Sequence, residues 1–324
     1  MTQTRLIETA PGITLSVTVA GEGPLVILMH GWPELGLSWR HQIAALAEAG
    51  FMVAAPDMRG YGASSHPQER ERYTLDELAD DMAAVARELG ADKWLSVGHD
   101  WGAPVAWRCA LRFPDQVAGV FCLSVPHSPS SPISAAESFE LMWPDRFYYV
   151  RYFQQIGVAE AEFEADVRAS LKKIFFVLSG DAPKDEWIKQ RPKDAPMLPG
   201  LADPPAGPLS FMSDAELDAY AAAYQRTGFR PSINWYCNLD RSAEQGRAYG
   251  DEVIHQPSGF LCGEKEIVLS MAPGILDRQK AALADQRVHE VLPGAGHWIQ
   301  QERPAEVNAA LIGFARTVFG GKQT

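Results

Sequence analysis

The sequence predicts an α/β fold in which a mostly parallel sheet is flanked by helices and interrupted by an inserted helical cap. Short apolar runs alternate with helical patterns as far as Pro126, which is typical of strands buried on both faces of a parallel sheet. The alternation resumes only near Gly259. The intervening segment is rich in aromatic residues and mostly helical in pattern, which indicates an insertion rather than more of the sheet.

The chain opens with two apolar stretches, residues 6–9 and 13–19, whose separation by Pro11-Gly12 predicts an antiparallel hairpin. Buried strands are then predicted at residues 25–29, 51–55, 94–97, 120–124, 259–262 and 288–292. Helices are predicted at residues 38–49, 74–89, 103–113, 271–284 and 305–319. Thr74 and Glu77 have the spacing of a capping box. We therefore expect a core made of residues 1–127 and 251–324, with residues 128–250 forming the cap.

Composition narrows the possible partners. The chain has 324 residues and a formal net charge of −12, which argues against binding to nucleic acid or an anionic membrane. No apolar run reaches the roughly 18 residues of a membrane span, and the first residues lack the apolar segment of a signal peptide, so a cytoplasmic location is expected. The four cysteines occur singly and the histidines lack metal-ligand spacing, so no metal is expected. Both a monomer and a homodimer are compatible with the sequence.

Asp100 is the candidate nucleophile. It lies in Gly98-His99-Asp100-Trp101-Gly102, between a buried strand and a helical pattern, which is the context of a nucleophile elbow. A carboxylate has a reference pKa of about 3.9 and needs no base to become a nucleophile at neutral pH. It suits displacement at a saturated carbon, which leaves an ester of Asp100 as a covalent intermediate. An aspartate before a helix can also be a simple cap, but the flanking glycines favour the nucleophile.

His297 is the candidate base. It follows a predicted strand and a Gly-rich turn near the end of the chain, in the order nucleophile, acid, histidine. Its role would be to activate water against the ester of Asp100. The acid that orients the imidazole should follow the strand at residues 259–262, where Glu264 and Glu266 both occur. We favour Glu266 and keep Glu264 as the alternative.

The motif His30-Gly31-Trp32-Pro33-Glu34 follows the first predicted parallel strand. A turn at this point can direct the backbone N–H of Trp32 into the site, beside that of Trp101. Two such donors form an oxyanion hole, worth roughly 3 kcal/mol per donor. The oxygen that occupies it would belong to Asp100 itself during hydrolysis of the ester. The alternative is a purely structural turn.

Together these motifs resemble those of the epoxide hydrolases of the α/β-hydrolase superfamily. The shared motifs appear in the family's order and the resemblance covers nearly the whole chain: His30-Gly-Trp-Pro-Glu34, Arg59-Gly-Tyr-Gly62, Gly98-His-Asp-Trp-Gly102 and Gly296-His-Trp298. The resemblance, to the compact soluble type, implies an α/β-hydrolase fold and a small-molecule epoxide as substrate. It implies hydrolysis to a vicinal diol through an alkyl ester on Asp100, without a cofactor. Glu266 is a departure, since soluble relatives usually carry Asp at that position.

The resemblance also implies two cap tyrosines that hold the epoxide oxygen, and the matching positions are Tyr149 and Tyr236. Ring opening produces an alkoxide, and a phenol can donate the proton that this leaving group needs. We expect Tyr148 and Tyr152 to be packing residues. The expected substrate-binding residues are Tyr149, Tyr236, Trp101, Pro33 and His30.

Two other functions compete. Haloalkane and fluoroacetate dehalogenases resemble the same core, but halide leaves without a proton, so paired tyrosines would be superfluous. Trp32 also stands where haloalkane dehalogenases usually have Asn. A non-catalytic binding protein with this fold would have no need for an intact set of Asp100, Glu266 and His297. The choice of epoxide, its regiochemistry and its enantiopreference depend on the shape of the cap, especially the Pro-rich loop at residues 191–208.

Overall fold

The computed structural model describes residues 2–320. Its strands are β1 Gln3–Ala10, β2 Ile13–Ala20, β3 Leu25–Met29, β4 Met52–Pro56, β5 Trp94–His99, β6 Val117–Leu123, β7 Ile254–Gly263 and β8 Leu283–Leu292. They form an eight-stranded sheet in the order β1-β2-β4-β3-β5-β6-β7-β8. The first two strands form the predicted antiparallel hairpin, and β2 pairs antiparallel with β4. All other neighbours pair in parallel, which confirms the predicted sheet.

The α-helices are α1 Arg40–Glu48, α2 Leu75–Glu88, α3 Gly102–Arg112, α4 Ala135–Met142, α5 Tyr149–Phe153, α6 Val158–Glu164, α7 Val167–Val177, α8 Asp214–Thr227, α9 Arg230–Ile233, α10 Leu239–Arg247, α11 Ile267–Met271, α12 Ile275–Ala281, α13 Ile299–Glu302 and α14 Pro304–Phe319. Short 3₁₀ helices occur at Gly36–Trp39, Arg70–Tyr73, Glu186–Ile188 and Asn234–Asn238. Among the helices of residues 2–320, none combines the length and hydropathy needed to cross a bilayer.

The continuous apolar runs exist because helices cover both faces of the sheet. In β3, Leu25, Ile27 and Met29 belong to the core cluster that contains α2 and α3. The alternate residues Val26 and Leu28 belong to the cluster that contains α1 and α14. Successive side chains of a strand point to opposite faces, so a strand buried on both sides must be apolar at every position. This burial holds the strands in place, and the residues that follow their carboxyl ends form the site.

Helices α4 to α10 lie between β6 and β7 and pack over the carboxyl ends of the strands. Trp32, which follows β3, illustrates the contact. Its ring centroid lies 5.1 Å from that of Phe153 in α5 and 6.0 Å from that of Phe163 in α6. Aromatic rings at these separations bury large areas and contribute pairwise attraction. The aromatic richness of this segment therefore reflects its packing against the site end of the sheet.

The helix predicted at residues 271–284 is present as α12, but its predicted bounds are too wide. Pro273-Gly274 precede α12 and separate it from α11, and β8 already begins at Leu283. Gly274, the N-cap of α12, has φ +74°, a left-handed conformation through which a helix cannot continue. The capping box at α2 is only half formed. Thr74 Oγ accepts the N–H of Glu77 at 3.4 Å, whereas the carboxylate of Glu77 pairs with Arg59.

Candidate active site

Asp100 lies in a sharp turn between β5 and α3. Its φ is +50°, a conformation uncommon for a residue with a side chain. A Cβ added to Gly98 would lie 2.1 Å from the carbonyl oxygen of Gly102, and one added to Gly102 would lie 2.0 Å from that of Met29. Strand and helix therefore meet backbone to backbone, which only glycine permits. The Gly-x-Asp-x-Gly pattern is required by this close approach.

The carboxylate of Asp100 is held on two sides. Its Oδ1 accepts a hydrogen bond of 2.7 Å from the backbone N–H of Trp32. Its Oδ2 lies 3.3 Å from Nε2 of His297. The side chain retains 16% of its exposure, and this exposed part faces a cavity. The predicted nucleophile, the predicted base and one predicted oxyanion donor are therefore in direct contact.

The imidazole of His297 is oriented by Glu266. Nδ1 of His297 lies 2.8 Å from Oε2 of Glu266, which is completely buried and also accepts the N–H of Val268 at 3.1 Å. Glu264 is exposed, and its carboxylate accepts the N–H of Gly294 at 2.9 Å. The geometry thus brings Glu266, and not Glu264, to the histidine. Glutamate reaches the ring because it stands at the N-cap of α11, one turn beyond the end of β7.

The charge on His297 depends on its two carboxylate neighbours. Burial by itself would lower the pKa of His297, but Glu266 and the hydrogen bond to Asp100 outweigh burial and raise that pKa well above its usual value. The free site therefore favours an imidazolium between two carboxylates. Loss of either negative charge would lower the pKa of His297, so a larger fraction of its imidazole would be neutral and able to accept a proton.

A second buried contact between a carboxylate and an imidazole, that of Glu34 with His99, lies next to the site. Oε2 of Glu34 lies 2.6 Å from Nδ1 of His99 and accepts the N–H of Gly31 at 3.1 Å. Its Oε1 accepts the side-chain amides of Gln300 and Gln301 at 2.9 and 3.1 Å. Burial opposes ionisation of Glu34, but His99 outweighs it and lowers the pKa of Glu34 to about 2. Through Glu34, the turn that contains Gly31 is therefore connected to His99, the residue that precedes Asp100.

Tyr149 and Tyr236 face the same cavity as Asp100, and their ring centroids lie 6.0 Å apart at 81°. Burial raises the pKa of both phenols well above the usual value, so both are neutral donors at physiological pH. Tyr152 does not face this cavity, because its hydroxyl donates to Glu162 at 2.7 Å. Tyr148 stacks on Trp143 at 5.7 Å and forms part of the cavity wall.

The cavity has a volume of about 450 Å³. Its wall is predominantly aromatic and aliphatic around the reacting groups, with contributions from Trp32, Trp101, Phe139, Tyr148, Leu178, Trp187, Ile267 and Val268. A small organic molecule fits such a space, and apolar walls with a few polar groups are typical of sites that bind one.

Trp101 occupies the start of α3 and its side chain lines the cavity. Its ring lies 5.0 Å from that of Tyr236 at 85°, so it helps to hold the phenol. Within residues 2–320, the backbone hydrogen bond to the carboxylate of Asp100 comes from Trp32 and not from Trp101. The first N–H groups of a helix have no intrahelical partner, so the amide of Trp101 remains available to an oxygen.

The structure does not place His30 or Pro33 on this cavity, contrary to the expectation that both bind substrate. The imidazole of His30 is fully buried, with Nδ1–H donating to the carbonyl of Gly31 at 2.8 Å and Nε2 accepting the N–H of Met58 at 2.9 Å. Burial lowers the pKa of His30, consistent with a neutral ring. Both ring nitrogens are occupied, so His30 supports the turn instead of contacting substrate, and Pro33 is buried behind it.

Several residues of the site were not predicted from the sequence. Trp187, in a 3₁₀ helix, contacts Tyr149 at 5.5 Å between ring centroids and lines the cavity. Ser124, at the end of β6, has φ +67° and donates to the carbonyl of His297 at 2.6 Å. Trp187 has no motif to mark it. Ser124 could have been suspected, because it ends a central strand where site residues gather.

Within residues 2–320, no group of three or more His, Cys, Asp or Glu side chains has the arrangement of a metal site. The carboxylates at the site instead contact an imidazole and backbone N–H groups. This arrangement can support nucleophilic displacement by Asp100 followed by base-assisted attack of water.

Comparison with known proteins agrees with this geometry. Residues 24–304 match the family described as alpha/beta hydrolase fold. Epoxide hydrolase A of Mycobacterium tuberculosis is 40% identical over 315 residues, covering 96% of this chain and 96% of that protein. The solved structure of an epoxide hydrolase from an endophytic Streptomyces is similar with a TM-score of 0.93 at 38% identity, covering 98% of this chain and 96% of that one. That of Epoxide Hydrolase A from Mycobacterium thermoresistibile has a TM-score of 0.90 at 41% identity, covering 98% of both chains.

The sheet topology and the family match over residues 24–304 both define the α/β-hydrolase fold. Within that class, the chain belongs to the epoxide hydrolase family.

Proposed function

We propose that this protein converts an epoxide and water into a vicinal diol through a covalent alkyl ester on Asp100. The observation that carries this proposal is the convergence of Asp100, His297, Tyr149 and Tyr236 on one cavity of about 450 Å³. A carboxylate and a base would also serve a dehalogenase. The pair of neutral phenols is what an epoxide requires, because its leaving oxygen stays on the substrate and needs a proton.

In the first step, an oxygen of Asp100 attacks one ring carbon from the side opposite the breaking C–O bond. The bond between that carbon and the ring oxygen breaks, and the electron pair remains on the oxygen. Tyr149 and Tyr236 hold this oxygen by hydrogen bonds, and one of them transfers its proton as the alkoxide forms. The raised pKa of both phenols keeps them protonated before the reaction. General acid catalysis of this kind contributes roughly 10²- to 10⁴-fold.

In the second step, His297 removes a proton from water and the resulting hydroxide attacks the carboxyl carbon of Asp100. The tetrahedral intermediate then expels the substrate oxygen, which takes up the proton held by His297. The proton left on the carboxyl group of Asp100 returns to the tyrosinate formed in the first step, so the carboxylate is regenerated with one oxygen from water. Glu266 stabilises the imidazolium that forms during the attack. Its contact with Nδ1, at 2.8 Å, leaves Nε2 directed towards Asp100.

Formation of the ester prepares the histidine for this role. In the free enzyme the carboxylates of Glu266 and Asp100 both raise the pKa of His297. Alkylation converts Asp100 into a neutral ester, so one of these two negative charges disappears. The pKa of His297 should therefore fall when the intermediate forms, and the imidazole should become a base at the stage that requires one.

The oxyanion of the second step would develop on Asp100 itself. Its Oδ1 already accepts the N–H of Trp32 at 2.7 Å, which supports Trp32 as one donor. We propose Trp101 as the second donor, since its N–H lies at the start of α3 and next to the nucleophile. Donors fixed before the reaction stabilise the developing charge without reorganisation.

The cap at residues 128–250 supplies both phenols and much of the apolar wall, so it would select the epoxide. We propose Tyr149, Tyr236 and Trp101 as the substrate-binding residues, supported by their exposure to the cavity. A cytoplasmic location, independence from metal and cofactor, and a monomeric or homodimeric state stay predictions from the sequence.

The direct test compares racemic styrene oxide with 1-bromobutane as substrates. We expect the diol from the epoxide and no release of bromide. Bromide without diol would replace the proposal with a dehalogenase, and neither product across a panel of small epoxides would favour a binding protein.

The covalent intermediate can be tested separately. A single turnover in ¹⁸O-water should place the label in the carboxylate of Asp100, because water attacks the carboxyl carbon. Label found only in the diol would contradict a covalent ester.

A further inference from the structure

The loop that carries His297 is held through its backbone. The N–H of His297 donates to the carbonyl of Leu178 in the cap at 2.8 Å. The carbonyl of His297 lies 2.7 Å from Nε2 of His99 and accepts the hydroxyl of Ser124 at 2.6 Å. Core and cap therefore both bind the backbone of His297, and these contacts help to fix the position of its imidazole.

Glu302, in α13, binds the residues on either side of this histidine. Its Oε2 accepts the N–H of Gly296 at 2.9 Å and that of Gly180 in the cap at 2.8 Å. Its Oε1 accepts the N–H of Trp298 at 3.0 Å. One carboxylate thus satisfies three backbone donors, two from the histidine loop and one from the cap. Hydrogen bonds to an ionised acceptor are roughly twice as strong as neutral ones.

The two backbones joined by Glu302 are in direct contact. A Cβ added to Gly296 would lie 2.3 Å from the N atom of Gly180, and one added to Gly180 would lie 2.3 Å from the carbonyl oxygen of Gly294. No side chain separates the loop from the cap at this point. Their relative position is therefore set by backbone contact and by the shared hydrogen bonds to Glu302.

Glu302 does not face the cavity around Asp100. It lies instead beside a separate cavity of about 620 Å³, together with Gly180 and Gly294. It cannot touch a substrate held between Asp100 and the tyrosines, so any effect on the reaction must pass through the histidine loop. Two of the three N–H groups that it binds belong to the immediate neighbours of His297, so its effect on the reaction should be confined to that residue.

We propose that Glu302 is a positioning residue for the hydrolytic step, holding the imidazole of His297 in place through Gly296 and Trp298 and coupling it to the cap through Gly180. The proposal rests on the two-step mechanism given above. Alkylation uses Asp100 and the two tyrosines, whereas attack by water requires His297. A loosened histidine loop should slow the second step and spare the first.

The test uses Glu302→Gln, which keeps the shape of the side chain but turns one acceptor into an NH₂ group facing an N–H donor. Single turnovers with styrene oxide, quenched at intervals and followed by the mass of the intact protein, measure the formation and decay of the alkyl-enzyme. We expect decay to slow about tenfold, since misplacement of a catalytic group by a fraction of 1 Å has effects of this order. Formation should change less than about twofold.

Steady-state kinetics provide an independent readout. When hydrolysis limits turnover, a slower second step lowers kcat and KM together, so kcat/KM should stay at the wild-type value. General weakening of the fold would lower kcat/KM as well. Glu264→Gln is the matched control, because that carboxylate accepts the N–H of Gly294 in the same turn but is exposed and contacts no neighbour of His297 in the described residues. It should leave both steps unchanged.

Unchanged decay of the alkyl-enzyme in Glu302→Gln, or equal slowing of both steps, would overturn the proposal. Glu302→Asp retains the charge and should recover part of the hydrolytic rate, and failure to exceed the Gln variant would also count against it. Failure of the mechanism itself looks different, because the wild-type protein would then form no alkyl-enzyme.

Discussion

Replacement of Gly31 by alanine should displace the nucleophile. A Cβ at this position would lie 2.2 Å from Oδ1 and 2.6 Å from Cγ of Asp100. Ordinary contacts between such atoms are about 3.5 to 4.0 Å, so the carboxylate or the turn must move by about 1 Å. The same movement disturbs the 2.7 Å hydrogen bond between Trp32 and Asp100. A displacement of this size costs about 10²-fold in rate, which corresponds to about 2.7 kcal/mol of transition-state stabilisation.

The appropriate measurement is kcat/KM for styrene oxide, because this constant reports the step in which Asp100 attacks. Gly313→Ala is the matched control, since Gly313 lies in α14 and a Cβ there has no atom within 4 Å. That variant should keep full activity and gain up to about 0.5–1 kcal/mol in stability from the better helix former. Circular dichroism establishes that both variants are folded. A folded Gly31→Ala variant within about threefold of the wild-type kcat/KM would refute the inferred position of the carboxylate.

Three further predictions concern the two steps. Tyr149→Phe and Tyr236→Phe should each lower the rate of alkyl-enzyme formation, measured by rapid-quench kinetics, by about 10- to 100-fold, and the double variant should lower it further. Retained activity in the double variant would remove the phenols from the mechanism. His297→Gln should accumulate the alkyl-enzyme, detectable as added mass, whereas normal steady turnover would exclude His297 as the base. The rate of hydrolysis should rise with pH as the imidazolium of His297 in the alkyl-enzyme loses its proton, because Glu266 still raises the pKa of His297 after Asp100 has become a neutral ester. Glu266→Gln removes one charge that raises this pKa, so the midpoint of the single-turnover pH profile should move to lower pH, and a midpoint that stays or rises would contradict the assignment.

The sheet and the sharp turn at Asp100 could be predicted because their signals are local. A strand buried on both faces must be apolar throughout, and a sharp strand-to-helix turn requires glycine on both sides of Asp100. The bounds of the helix predicted at residues 271–284 were wrong for an equally local reason. Pro273-Gly274 interrupts the apolar pattern and separates α11 from α12, so the breaker outweighed the periodicity.

The roles of polar side chains near the site were harder to predict. His30 and Glu34 belong to the motif that precedes the oxyanion donor, yet both are buried supports with their hydrogen-bonding atoms occupied by protein groups. A motif indicates that a turn is present, but not which of its side chains face the cavity. Which side chains face the cavity depends on neighbours in the folded structure, such as Met58 and His99. The sequence does not indicate that these residues will be neighbours.

The sequence by itself determined the α/β fold, the elbow at Asp100 and the position of His297, since these depend on strand patterns, turn glycines and chain order. Only the tertiary structure determined which side chains contact one another, because such contacts depend on direction and distance. It placed Glu266 against the imidazole and left Glu264 exposed, although the two residues are only two positions apart. It also joined the histidine loop to the cap through Glu302. Residues far apart in the chain meet only after the sheet and the inserted helices have packed, and no local pattern encodes those contacts.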